Sequence, residues 1–384
     1  MSKKIYLIGL IYNNNLGDPI IFQSCKFMVE EIVGNDDDYE IVMVDLFGRE
    51  PMGYNPVIEK MRSQKDYYSY KDPNEIKNLE VSTISDSICK SISKENSCII
   101  FVGGGIVKYI YEKFEVYIDR VTAFADENDI PVMFNAVGIE GYNKDEPACI
   151  QLQNALNRKC VKMITVRDDL KTLTEQYEYK GIAKRVADSA CYISKFVNCP
   201  VTSREKIGIN CARPELFKEY GANCTRDYIA DLMANTVTML AKEGYKCELF
   251  DNGTARDDTF IDEILQKVGK NDNVTRKTRP ATGYELVQTI SEYKAIIATR
   301  LHASIVAFSC GVPFVSLVWN NKQKFFCKSI NKEDWYVNSS DFNPELIIQR
   351  LKGVIEEGYD NVSIDEHCKD TIQCLREFIE EAFK

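Results

Sequence analysis

Histidine is nearly absent from this chain: His302 and His367 are the only two among 384 residues. Long apolar runs are missing as well. No stretch approaches the roughly 20 consecutive apolar residues of a membrane-spanning helix, which argues against a spanning segment. The 14 cysteines form no Cys-x-x-Cys pair, and several, such as Cys98 and Cys247, stand inside apolar runs. They read as small hydrophobes and free thiols of a reducing compartment, with neither a disulfide framework nor a zinc site. Positive charge is in deficit. A formal net charge of −10 excludes the broad basic field that general nucleic-acid binding needs, while leaving room for one local basic pocket. The glycines at 103–105 are followed by Ile106, Val107 and Lys108, so the Gly-x-Gly-x-x-Gly fingerprint of a nicotinamide cofactor is lacking. No cofactor and no metal are expected. Fixed-period repeats and low-complexity tracts are also absent.

The apolar run at 5–12 follows two lysines but is short, lacks a small-residue cleavage site and leads into three asparagines. No signal peptide is read there, and a cytoplasmic location is expected.

What the chain does have is alternation. "KIYLIGLIY" (4–12), "EIVMVDLF" (40–47), "SCIIFVGGG" (97–105), "PVMFNAVGI" (131–139) and "KMITVR" (162–167) are continuous rather than alternating apolar runs, the mark of buried parallel strands. Helical patterns lie between them. One starts at Asp18-Pro19, with Asp suited to the N-cap and Pro to the first helical position; another covers "VKYIYEKFEVYIDRVTAFADEN". The alternation pauses at 192–206 and restarts with "KIGINCA" (206–212), "KCELFD" (246–251), "KAIIATR" (294–300) and "PFVSLVW" (313–319). This predicts an α/β protein of two Rossmann-like doubly wound domains facing across a cleft: residues 1–200 and 201–365, with a C-terminal helix at 366–384 packing back on the first. The Tyr- and Pro-rich segment at 50–75 reads as an exposed insertion.

Ligands of such sheets bind beyond the carboxyl ends of the strands, so residues there carry the functional expectations. Gly17 and Asp18 close the first strand's loop and open a helix; a turn and cap is an equal reading. Gly103, Gly104 and Gly105 permit close backbone approach, to a ligand or to the facing strand. Arg167 ends a strand, where its fork suits a carboxylate or phosphate, and Asp168 and Asp169 open the next helix. Asp188 follows "RVA" as a general base, a hydroxyl acceptor or a structural cap. "ATRLHASIVAFSCGVPFVSL" (298–317) is the most specific stretch. It sets Arg300 and His302 at a strand-to-helix junction, with Gly311 as the C-cap. A helix N-terminus and a guanidinium together suit an anion, and a histidine beside them can carry a proton near neutral pH. Lys322 and Lys324 follow the next strand.

Taken in order, "NLGD", "FVGGG", "NAVGI", "TVRDDL", "VADSA", "IGINCARP" and the 298–317 stretch followed by Lys322 resemble the polysaccharide pyruvyl transferase family. The resemblance implies a fold similar to that of GT-B glycosyltransferases and phosphoenolpyruvate as donor. It implies a saccharide acceptor in a surface polysaccharide (an exopolysaccharide) or its precursor, and a ketal product. On it, His302, Asp18 and Asp188 are the catalytic residues. Arg300, Arg167 and Lys322 bind the anionic donor, and Gly17 and Gly103–Gly105 line the site. Without an export signal, the acceptor is expected at the inner face of the membrane, lipid-linked, with peripheral membrane contact. The chain departs from the family's usual first loop at Pro19-Ile20, which bears on the acceptor side. A GT-B glycosyltransferase using a nucleotide sugar, and a non-catalytic binding protein that kept the fold, are the alternative readings.

Overall fold

Continuous apolar runs bounded by turn residues form strands buried on both faces, because helices cover each side of a parallel sheet. The computed structural model describes residues 2–384 except 35, 65, 66, 68–71, 111, 200–203, 220, 223 and 360–362. The chain divides into two units. The first comprises Met1–Asn13, Ile21–Ser189 and Cys368–Lys384; the second comprises Asn14–Ile20 and Ala190–His367.

The first unit is built from β1 (Lys3–Gly9), α1 (Gly17–Val33, whose first turn belongs to the second unit), β2 (Tyr39–Asp45), α2 (Pro56–Arg62), α3 (Pro73–Ser91), β3 (Ser97–Lys108), α4 (Phe114–Glu127), β4 (Val132–Glu140), α5 (Pro147–Leu156), β5 (Val161–Val166) and β6 (Ile182–Arg185). Its sheet has the order β2-β1-β3-β4-β5-β6, parallel throughout. The second unit follows with β7 (Lys206–Asn210), α6 (Glu215–Glu219), α7 (Arg226–Lys242), β8 (Lys246–Phe250), α8 (Ala255–Val268), β9 (Val274–Arg276), α9 (Gly283–Ser291), β10 (Ala295–Ala298), α10 (Leu301–Ser309), β11 (Phe314–Val318), α11 (Asn321–Ser329), β12 (Tyr336–Asn338) and α12 (Pro344–Glu357). Its order is β12-β11-β10-β7-β8-β9, again parallel. Both are Rossmann-like, doubly wound sheets. The C-terminal helix α13 (Ile364–Ala382) joins the first unit from Cys368 onward. There Thr371 Oγ1 donates to the Ala187 carbonyl at 3.0 Å, and Phe383 meets Tyr39 edge-on.

Several local expectations change. β3 does not stop at the three glycines but runs through them to Lys108, because Val107 and Lys108 still pair with Ile139 and Glu140 of β4 after a bulge. The following helix therefore opens at Phe114 rather than Val107. Asp18 lies inside the first turn of α1, not at its cap. After Asp168 and Asp169 there is only a short π-helical turn at Thr172–Gln176. The segment at 50–75 is largely exposed where described and carries α2; residues 65, 66 and 68–71 of it lie outside the described residues, as do 200–203 of the interdomain pause. Among the described residues, no helix is long and apolar enough to cross a membrane.

Candidate functional site

The second sheet reverses its winding between β7 and β10, whose last paired residues are Asn210 and Ala298. That reversal opens a crevice at the strands' carboxyl ends. Arg300 is the N-cap of α10, with extended backbone, and its N–H donates to Asn210 Oδ1 at 2.9 Å. Asn210 Nδ2 in turn donates to Asn252 Oδ1, also at 2.9 Å. The Arg300 backbone N–H and the Asn210 and Asn252 side chains, from the ends of three adjacent strands, thus form one hydrogen-bonded chain. The Arg300 guanidinium uses Nε and Nη2 in a two-pronged contact with Asp257, each bond 2.8 Å, and Nη1 has no hydrogen bond among the described residues. Asp257 is fully buried in the first turn of α8 and also accepts from the Arg213 N–H at 2.9 Å. A planar fork against a carboxylate holds the guanidinium far more firmly than packing alone would.

His302 is nearly buried in the first turn of α10. Its ring lies against Gly17 in the first turn of α1: a Cβ at position 17 would stand 2.2 Å from Nδ1 and 2.4 Å from Cγ of the imidazole. Only glycine lets these two turns approach so closely. Asp18 follows in the same turn, with Asn15 Nδ2 3.4 Å from its carboxylate. Leu16 N–H donates to the Asn252 carbonyl at 2.9 Å, which ties the 14–20 segment to the end of β8. Three buried polar atoms here, Asn15 Oδ1, Asp251 Oδ2 and Asn252 Nδ2, have no hydrogen-bond partner among the described residues. Each such atom costs about 1–3 kcal/mol if left unpaired, so three at one sheet edge mark a place where water or a polar ligand can complete them. Burial pushes the Asp251 carboxyl up to about 6.

Behind this edge, Gln323 is fully buried; its Nε2 donates to the Thr299 and Leu317 carbonyls at 3.0 and 2.9 Å. Trp319 Nε1 donates to the same Thr299 carbonyl at 2.7 Å. Together they hold the peptide that aims Arg300. Lys322 and Lys324 are half-buried on the first turn of α11.

The first unit carries its own polar cluster. Arg167 and Asp188 are nearly buried and form an ion pair through Nη1 and Oδ2. Asp168 Oδ1 accepts from the Ile139 N–H at 2.9 Å. Both Arg167 and Asp168 lie over Gly138, within 3.2 Å of where its Cβ would be. A Cβ on Gly103 would come within 2.7 Å of the Ala136 carbonyl, so this glycine serves close packing against the facing strand. Ala136 itself has φ 50°, and Gly104 φ 99°, at the bulge. Residues of this kind in strained backbone concentrate at functional sites.

Of the residues singled out in the sequence, the second unit holds Gly17, Asp18, Arg300, His302 and Lys322, and the first holds Gly103, Gly104, Gly105, Arg167 and Asp188. Sequence reasoning passed over Asn210, Asn252, Asp257 and Gln323. Asn210 ends β7 and Asn252 follows β8 by two residues, so these two could have been found by the rule that singled out Arg300. Gln323 had a signal too, since Asn320-x-x-Gln323 is a capping box. Among the described residues no group of three His, Cys, Asp or Glu side chains is arranged to hold a metal ion.

The family model described as Polysaccharide pyruvyl transferase matches residues 16–321. No curated protein matches the chain. Among solved structures, the chain is similar to the UDP-GlcNAc 2-epimerase from Neisseria meningitidis bound to UDP-GlcNAc, with 13% identity and a TM-score of 0.58 over 99% of this chain and 100% of that one. The UDP-GlcNAc 2-epimerase from Methanocaldococcus jannaschii shares 11% identity at a TM-score of 0.58, over 98% of this chain and 100% of that one. An α,α-trehalose-6-phosphate synthase from Burkholderia multivorans shares 9% at 0.53, over 100% of this chain and 93% of that one. At such identities the likeness shows the fold, that of the GT-B enzymes.

Proposed function

Because the chain belongs to the polysaccharide pyruvyl transferase family, a family of transferases, we propose that it moves the pyruvyl group of phosphoenolpyruvate onto two hydroxyls of a saccharide, in a surface polysaccharide or its precursor, as a ketal. One observation carries the reading: His302 and a firmly held Arg300 stand together where the second sheet reverses, beside polar atoms that lack partners. His302 delivers a proton to the methylene carbon of the donor, leaving an oxocarbenium-like centre at its neighbour. A sugar hydroxyl attacks there and gives up its proton to a base, a role we assign to Asp18. The carbon–oxygen bond to phosphate then breaks and releases inorganic phosphate, and the second hydroxyl attacks the same carbon to close the ketal, its proton passing to the now deprotonated His302. Arg300, neutralised on one edge by Asp257, keeps Nη1 for the donor's anionic groups, with Lys322 as a further cation. Within the first unit, the Arg167–Asp188 pair is a candidate of its own, Arg167 for an anionic group and Asp188 for a sugar hydroxyl.

The donor tests this without knowledge of the acceptor. A ligand that binds only the folded state raises stability by about 2.7 kcal/mol at a hundredfold excess over its Kd. Thermal melts with phosphoenolpyruvate should shift upward in the native protein and not in Arg300→Ala. A shift with a uridine, guanosine, cytidine or thymidine diphosphate sugar, and none with phosphoenolpyruvate, would replace this reading with a nucleotide-sugar transferase.

A further inference from the structure

In the second unit the Sγ atoms of Cys199 and Cys310 stand 3.9 Å apart. Cys310, rather than the following Gly311 (φ 62°), is the C-cap of α10, the helix that carries His302 at its other end. Its carbonyl and that of Gly311 each accept from the Arg204 guanidinium at 2.8 Å, and a third bond runs from Arg204 to the Ser291 carbonyl at 3.0 Å. An arginine is thereby fixed beside the sulfur pair. Both cysteines are partly exposed and line a cavity of about 510 Å³ with Ser194, Lys195, Asn198 and Arg204. Reactive cysteines sit in partly exposed, electropositive surroundings of this sort, whereas structural ones are buried in apolar contacts.

We propose that Cys199 and Cys310 form a dithiol modification site for small disulfides, with Cys199 as the attacking thiolate and Cys310 as the resolving thiol. The Cys199 thiol is held down to about 7, first by its hydrogen bond with Cys310 and further by Ser291 and the charge of Arg204. Burial instead pushes Cys25, Cys160, Cys247 and Cys327 up to about 12. In the first step the Cys199 thiolate attacks one sulfur of the small disulfide, forming a mixed disulfide and releasing one small thiolate. The Cys310 thiol then gives its proton to solvent and attacks Cys199 Sγ, expelling the second small thiolate. Two protein thiols are oxidised to one disulfide by two electrons, and the small disulfide is reduced to two thiols. The bond needs the sulfurs to close from 3.9 Å to about 2 Å.

The test uses the reduced full chain, oxidised glutathione as the probe, an alkylating quench and peptide mapping. The expected result is loss of two of the 14 thiols with a peptide linking Cys199 to Cys310, reversed by reductant. Cys310→Ser should stop at a glutathione adduct on Cys199, and Cys199→Ser should lose thiols at least tenfold more slowly. Thiol loss spread over other cysteines without that link, or no adduct on Cys199 in Cys310→Ser, overturns the proposal. A measurement on the unsubstituted chain guards against variants that misfold. Iodoacetamide should label Cys199 ahead of Cys89 and Cys224, which are also partly exposed but whose thiols are shifted up. Equal rates for the three would refute the assignment. None of these readouts depends on transferase activity.

Discussion

A methyl group at position 17 would occupy the space of the His302 imidazole, so the glycine and the histidine act as one unit. Gly17→Ala must push the ring aside, and it should cost turnover on the same scale as His302→Ala, about 10²–10⁴-fold for a general acid or base. Steady-state kinetics with a proven acceptor, alongside circular dichroism to confirm folding, make the comparison. Full activity in Gly17→Ala would show that the ring's position does not matter. Arg300 differs in kind. Its place at a strand-to-helix junction was legible in Ala-Thr-Arg-Leu-His, but its partner Asp257, 43 residues away, was not. No short window of sequence shows which carboxylate will share a buried volume with a given guanidinium.

At the scale of elements, strands with continuous apolar runs were legible because burial on both faces leaves no room for polar residues. β6, β9 and β12 were not: they have only three or four residues, β6 and β9 are largely exposed, and all three end their sheets. Edge strands of this length bury too little to impose an apolar pattern. The end of β5 and the loop after β6 meet through Arg167 and Asp188, an ion pair with both side chains at least 94% buried. Asp188→Ala removes the nearer of the two carboxylates that face Arg167, leaving Asp168 3.9 Å away, and should lower stability in a urea melt by up to about 3–5 kcal/mol. Asp188→Asn, which keeps an acceptor, should lose less. Stability unchanged by both would mean that Asp168 or water compensates Arg167.

For the molecule as a whole, Asp251 ties stability to pH. Its carboxyl is raised by burial from 3.8 to about 6, so between those values the unfolded chain is ionised while the folded chain still holds the proton. Raising pH through that window therefore removes stability, and above about 6 the loss is constant. Asp251→Asn can still accept from the Gly253 N–H, as Asp251 does at 2.5 Å, and carries no charge. Its stability relative to the native chain should be less favourable at pH 4 and improve by roughly 2–3 kcal/mol by pH 7.5. Denaturant midpoints at the two values measure this; a difference that stays flat would place Asp251 in contact with solvent or a cation.

The sequence by itself determined the class of fold, the order of the strands along the chain, and the junction that presents Arg300 and His302. Each of these is written in a window of a few to twenty residues, where hydrophobic period, caps and turn residues act locally. Tertiary structure alone decided that Gly17 would receive the His302 ring, that Asp257 would hold Arg300, and that Arg167 would answer Asp188. Those pairings come from sheet order and helix docking, which bring distant residues into one buried volume, where close approach and charge neutralisation depend on every neighbour at once.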